Sequence, residues 1–267
     1  MKRLTLTLRQ RPDQRIDLSP LVPHLLAGKT AGEIERIELQ TTRRRLDVGQ
    51  VFRLRMGDAE RICIEGGSDR LDHAGQGMTR GELLVDGEVG IQAGRLMTGG
   101  RLIVRGNAGP WAASGLKSGV VEIFGTAGDR VGGPLAGEIS GMRGGIVVVH
   151  GSAGERAGDR MRRGTIIIEG EAGPYAGSRM IAGTLIVGRK AGLLPGYLLK
   201  RGSIILGGGC SALSPTFADC GRHDLLAIRL LASFVEPYSK RGAALIRRPF
   251  TRFAGDMAVL GKGELFI

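Results

Sequence analysis

Glycine recurs along this chain with a fixed period. Gly81, Gly100, Gly119, Gly145, Gly164, Gly183 and Gly202 are separated by 19, 19, 26, 19, 19 and 19 residues, so a single unit carries a surplus of seven. Further glycines follow at six, nine and thirteen residues, and GELLVDGEVGIQAG from Gly81 to Gly94 reads G-x5-G-x2-G-x3-G. An imperfect unit, RICIEGGSDRLDHAGQGMTRG, extends the array towards the N-terminus. A unit of this length cannot bury an apolar face alone, so the units must stack on one another.

The five residues after each repeat glycine are ELLVD, RLIVR, VVEIF, IVVVH, TIIIE, TLIVG and SIILG. They are β-branched or aliphatic with period two, which predicts a short strand in every unit. Leu83/Val85, Leu102/Val104, Val121/Ile123, Val147/Val149, Ile166/Ile168, Leu185/Val187 and Ile204/Leu206 then share the inward face. A second inward ladder is expected at Met78, Met97, Leu116, Met142, Met161, Met180 and Leu199, three residues before the glycines. The expected fold is all-β: a right-handed parallel β-solenoid with 19-residue repeats, whose roughly eight coils at about 4.8 Å make a prism about 35–40 Å long. The insertion GPLAGEI, Gly133 to Ile139, is expected to loop out of one corner. The glycines read as corners that supply positive φ, not as phosphate loops. GPWAASGLKS, the nearest approach to a P-loop, has the wrong spacing before Lys117.

Composition agrees with a thin aliphatic core. Glycine is 46/267, about 17% where roughly 7% is usual, while aromatic residues are only 4%. Charge is 38 − 26 = +12, which implies attraction to an anionic partner. Nucleic acid fits poorly, because so few aromatics are available for base stacking. The three cysteines, Cys63, Cys210 and Cys220, show no C-x-x-C pair, which favours a reducing, cytoplasmic setting. The N-terminal MKRLTLTLRQRPDQ alternates like a strand and lacks a signal-peptide h-region, and no apolar run approaches 18 residues. No membrane partner is expected.

Three segments follow: an N-terminal strand and helix cap over 1–58, the repeats over 59–209, and a C-terminal helix and hairpin over 210–267. Thr30 and Glu33 have capping-box spacing, which places a short helix from Thr30 to Ile37. DLLAIRLLASFV, Asp224 to Val235, has the stripe of an amphipathic helix, and AVLGKGELFI reads as a hairpin turning at Gly261 to Gly263.

No catalytic constellation is legible. His24, His73, His150 and His223 are scattered. His73 beside Asp69 and Asp72 reads as a solvated corner, and Cys220 with His223 lacks both a third orienting group and, with Cys210, metal-ligand spacing. A solenoid enzyme would need paired carboxylates on neighbouring coils, and none align.

Two features do suggest contact. The third, outward position of each strand holds Cys63, Leu84, Ile103, Val148, Ile167, Ile186 and Ile205, with Glu122 the single charge. The C-terminal helix, roughly 18 Å long, can cover part of that stripe, and a partner is expected to cover the rest, at Leu84, Ile103, Val148, Ile167, Ile186 and Ile205. Before the repeat glycines stand Arg80, Lys117, Arg143, Arg162, Arg163, Lys200 and Arg201, a basic ladder read either as a solvated edge or as a contact for acidic groups.

With its G-x2-G-x3-G repeats, IDLSPL near the start and AGDMAVLGKGE at the end, the chain resembles the C subunit of formylmethanofuran dehydrogenase over nearly its whole length. The repeats alone are also similar to the C-terminal domain of the glutamate synthase large subunit, but the flanks favour the former. Bacterial members of that family look like the third subunit of the formyltransferase/hydrolase complex of methylotrophs. Arginine outnumbers lysine 31 to 7, as in GC-rich bacterial genomes, which tilts the reading towards that complex rather than the archaeal redox enzyme. The resemblance implies a non-catalytic β-helix that holds other subunits and binds no cofactor or metal itself. Those partners would move a formyl group from a tetrahydromethanopterin carrier to a methanofuran-type carrier and release formate, with the metal in another subunit. It also implies that the basic ladder meets either acidic residues of a partner or the glutamate-rich tail of the carrier.

Overall fold

A computed structural model describes residues 2–267. Its main sheet has thirteen strands: β1 (Arg3–Leu8), β2 (Phe52–Arg55), β3 (Asp58–Glu65), β4 (Glu82–Asp86), β5 (Arg101–Val104), β6 (Val120–Ile123), β7 (Arg143–Val149), β8 (Arg163–Ile168), β9 (Thr184–Val187), β10 (Arg201–Leu206), β11 (Ala218–His223), β12 (Phe250–Gly255) and β13 (Lys262–Phe266). From β3 to β10 they lie side by side in chain order and pair in parallel. Val85 faces Val104, Ile168 faces Val187 and Val187 faces Leu206, so the register advances by one repeat per strand. A second parallel ladder, one residue wide, runs through Val89, Ala108, Ala127, Ala153, Ala172 and Ala191.

The inward positions anticipated from period two are sealed: Leu83, Leu102, Val121, Val147, Ile166, Leu185 and Ile204 have no exposure, and neither do the seven Met/Leu residues of the second ladder. Full burial of each such side chain stabilises by about 1.5–3 kcal/mol before entropy is charged against it. Their apolar cluster is continuous from Leu4 to Leu265. The repeat glycines are required where one backbone passes another. At Gly164, φ is +100° and an added Cβ would sit 2.7 Å from the Gly145 carbonyl oxygen and 2.6 Å from Met142 Cε.

The N-terminal segment closes one end. β1 pairs in parallel with β3 and is flanked by antiparallel β2, which carries exposed Arg53 and Arg55 on the sheet's edge. Helix α1 spans Pro23–Leu26, α2 spans Ala31–Glu35 and α3 spans Val48–Val51. Thr30 and Glu33 cap α2 reciprocally, as their spacing predicts. Asp72, nearly buried, takes a two-pronged bond from Arg15 at 2.6 and 2.7 Å and accepts from the Ile91 amide, tying this segment to two repeats.

His73 is a second tether, not a solvated corner: its Nδ1 lies 3.0 Å from Asp17 Oδ2, though the approach is oblique. Contact with Asp17 raises the His73 pKa against the opposing effect of burial. Burial pushes Asp17 up, but bonds from His73 and Ser19 outweigh it and leave that carboxyl below its usual range. The histidine's contribution is complete below its unfolded pKa of about 6.5 and is lost as pH rises through the raised value; the aspartate's is complete above about 3.9 and is lost as pH falls through the lowered one. Protection of the Asp17 and Leu18 amides against hydrogen exchange, corrected for intrinsic rate, should therefore fall as pH rises above about 6.5 and through the raised His73 value. His73→Gln should remove that pH dependence.

At the other end, α4 (Leu226–Val235) and α5 (Lys240–Ile246) cross the outer face of the sheet. The hairpin's tight turn, expected at Gly261 to Gly263, is instead a longer connection over residues 256–261. Gly263 is already in β13, whose partner is β12, and the amides of Val259 and Gly261 both turn back to the Asp256 carbonyl. The insertion leaves its corner as expected, yet it is fastened down. Glu138 meets Arg95 at 2.8 Å, which is chiefly what keeps its carboxyl below the usual range, while Pro134 and Ser140 are buried. Ile139 is left 85% exposed.

Candidate interaction surfaces

The outward third positions form one unbroken column across the sheet. Its register runs Thr5, Cys63, Leu84, Ile103, Glu122, Val148, Ile167, Ile186, Ile205, Phe266. The expectation that a partner covers Val148, Ile167, Ile186 and Ile205 is corrected. These four are at most 1% exposed because Ala232, Val235, Ala243, Leu245 and Ile246 of this same chain pack on them. One helix of twelve residues could not reach so far, but two helices do. Gly242 permits the approach of α5, since a Cβ there would lie 3.2 Å from Ile167 Cγ2. Leu84 is also buried, at 7%, and Ile103 is the half-buried member that α4 and α5 leave uncovered.

Glu122, the charge in that column, belongs to a cluster that the sequence conceals. His150 Nε2 lies 3.1 Å from Glu122 Oε1 and His150 Nδ1 lies 3.2 Å from Glu169 Oε2. Phe124 packs against the ring at 4.7 Å. Desolvation raises the Glu122 pKa, but bonds from Arg101 and His150 bring it below the usual range. Ser239, the N-cap of α5, donates to Glu169 at 2.7 Å and accepts from the Gly242 amide. Both imidazole nitrogens lie against carboxylates, and through Ser239 the cluster ties the helix layer to the sheet. A lone glutamate in an otherwise apolar column was its one signal.

Cys220 and His223 meet, but not through the thiol. His223 Nε2 contacts the Cys220 carbonyl oxygen at 2.8 Å, not its sulfur, so no imidazole activates that thiol. Burial raises the pKa of Cys63 and of Cys210. Among the described residues no three His, Cys, Asp or Glu side chains are grouped to hold a metal ion.

α4 is apolar on both sides. Ala232 and Val235 face the sheet, while Leu226, Leu230 and Phe234, four residues apart, point away from it and are 70, 64 and 50% exposed. A helix apolar all round belongs in an interior. That spacing was legible in the sequence, but which side would remain open was not.

The basic ladder resolves into two columns. Lys117, Arg143, Arg162 and Lys200 lie two residues before the repeat glycines and donate their amides to Met97, Leu116, Met142 and Met180. Arg80, Arg163 and Arg201 lie one residue nearer the glycine, and Lys262 continues that line opposite Arg201. All seven ladder side chains are exposed. Arg80 pairs with Glu60 at 2.9 Å; among the described residues none of the other six has a carboxylate within the 4.0 Å of an ion pair. Ile181 and Ala182 interrupt the columns.

No protein-family model matches the chain. The third subunit, C, of the formyltransferase/hydrolase complex Fhc of Methylorubrum extorquens is 51% identical over 263 residues, covering 98% of both proteins. The C subunits of tungsten-containing formylmethanofuran dehydrogenase 2 from Methanothermobacter thermautotrophicus and Methanothermobacter marburgensis are 34% and 32% identical over 94 residues, 33% of this chain and 35% of each relative. A chain in the crystal structure of the Methylorubrum extorquens FhcABCD complex with methylofuran superimposes with a TM-score of 0.94 and 41% identity, covering 98% of each chain. Among the described residues no helix is long and apolar enough to cross a membrane.

Proposed function

The chain belongs to the family of the C subunits of formyltransferase/hydrolase complexes, and from that membership we propose that it is the non-catalytic structural subunit of such a complex in the cytoplasm. The observation that carries this reading is the match over 98% of both chains in sequence and in structure. In this reading the parallel register at 19-residue steps is that of a right-handed β-solenoid of about eight coils over residues 59–209, with 1–58 and 210–267 closing its ends. The other subunits hold the metal and perform the chemistry, passing a formyl group from a tetrahydromethanopterin carrier to a methanofuran-type carrier and hydrolysing it to formate. What this chain supplies is surface. The apolar outer side of α4 is proposed to lie against another subunit, with Ile103 at the margin of the helix layer. Tagging the chain in its native host tests the assignment: three companion subunits of one complex should co-purify in constant ratio. Recovery of the chain alone from cells in which that complex is intact would refute it.

The basic ladder supports a second role. Lys117, Arg143 and Arg162 stand without acidic partners on successive repeats, at steps of about 4.8 Å, with Arg163 beside them and Lys200 and Arg201 beyond the break at Ile181 and Ala182; they repel one another, and an anion relieves that repulsion. We propose that the row draws in the glutamate-rich tail of the carrier. Replacing Arg143, Arg162 and Arg163 together by Gln should raise the apparent KM for the carrier several-fold at low ionic strength, with assembly intact. The effect should fade in salt, because screening shortens to about 8 Å at physiological strength. An unchanged KM in an intact mutant complex would leave the row as a solvated edge.

A further inference from the structure

The turn that follows the one-residue ladder places non-glycine residues at positive φ in two columns, with Ala113 alone in a third that glycines otherwise fill. The first holds His73, Gln92, Trp111, Arg130, Arg156, Tyr175 and Leu194; the second holds Leu96, Arg160, Arg179 and Leu198. Each costs backbone strain of order 1 kcal/mol, so these sites tolerate side chains without requiring any particular one. Arginine nevertheless occupies four of them, with φ between 49° and 58°, and all four border the same cleft. That cleft, of about 330 Å³, is closed on one side by residues 134–137 of the insertion.

Three of the four guanidinium groups are held in place, and the set is only partly neutralised. Arg179 grips buried Asp159 through two bonds of 3.0 and 2.8 Å, and Ser178 adds a third at 2.7 Å, so that carboxylate has little capacity left. Arg160 donates to the Glu138 backbone carbonyl at 3.1 Å. Arg156 lies 4.8 Å above the Tyr175 ring, with Glu155 at 3.6 Å on the outer side. Arg130 has no carboxylate within ion-pair distance among the described residues. Set against the two carboxylates paired with them, Asp159 and Glu155, the four arginines leave 4 − 2 = +2 charges around a concave space. Low-dielectric walls strengthen the field in such a space, and planar guanidinium forks match oxyanions in pairs.

We propose that this cleft is a binding site for a small multivalent oxyanion, carboxylate- or phosphate-bearing and no larger than citrate. Arg130 supplies the free fork, while Arg156 and Arg160 are preorganised beside it. The site is independent of which complex the chain joins.

Calorimetric titration of the full chain in its native complex, with citrate in one arm and inorganic phosphate in the other, tests it in low-salt buffer free of both. One saturable site per chain is expected. Saturation by citrate alone identifies a carboxylate ligand, and saturation by phosphate alone a phosphoryl ligand. Arg130→Gln and Arg156→Gln, each verified as folded by circular dichroism, should weaken binding at least tenfold, whereas Arg36→Gln, at an exposed position outside both the cleft and the ladder, should change it less than twofold. Absence of saturation with both probes, or equal weakening by Arg36→Gln, would overturn the site.

Discussion

Ile167→Glu should unfold the helix layer of this chain rather than merely detach a partner. The side chain is 1% exposed beneath Gly242, and two residues along the same outward face Glu169 already carries a negative charge held by Ser239. A carboxylate at 167 would be buried without a cation of its own and beside a like charge, at a cost of about 3–5 kcal/mol. For a chain of this size that lowers Tm by roughly 6–20 °C. Hydrogen exchange should quicken throughout α4 and α5, while Ile167→Val should cost only about 0.5–1.5 kcal/mol. If Ile167→Glu kept its Tm and α4–α5 protection but failed to join the complex, the stripe would be a docking face after all.

The opposite face of the same layer should behave differently. Leu226→Asp combined with Leu230→Asp places charges where the chain leaves 70% and 64% of those residues exposed, so folding should be nearly unaffected. Assembly should suffer, because apolar anchors at an interface commonly contribute about 2 kcal/mol or more, about 30-fold in affinity. Native Tm with loss of co-elution on size exclusion is the expected result. Unchanged incorporation of the double variant would remove α4 from the interface. The two experiments separate the inner side of one thin layer from its outer side.

How far such residues could be read in advance depended on how local their causes are. The strand register, the Met/Leu ladder and the α2 cap follow from spacings within one or two repeats, because steric and hydrophobic periodicity act over that range. α5 was not legible: PYSKRGAALI is short and interrupted by Gly242, whose role as a close-approach point exists only once Ile167 lies beneath it. The Glu122–His150–Glu169 cluster joins residues from three repeats, and nothing in any one repeat marks its neighbours. Arginines at positive φ run against local preference, which favours Gly, Asn or Asp there; the stacked turns impose that conformation from outside the residue. The ladder's two spacings from the repeat glycines and its break at Ile181 are plain in the sequence, but the facing of Arg143 with Arg163 across an irregularity depends on register at the corner.

A structural subunit should be indispensable to assembly and dispensable to chemistry, and a subunit-omission assay measures both. The four subunits from the native host, co-expressed together and then without this chain, would be assayed for complex mass by light scattering and for formyl transfer and formate release. A structural role predicts a complete, active assembly with the chain, failure of the remaining subunits to assemble without it, and neither activity from the chain alone. Full assembly and activity in its absence, or formate release by the purified chain, would contradict that role.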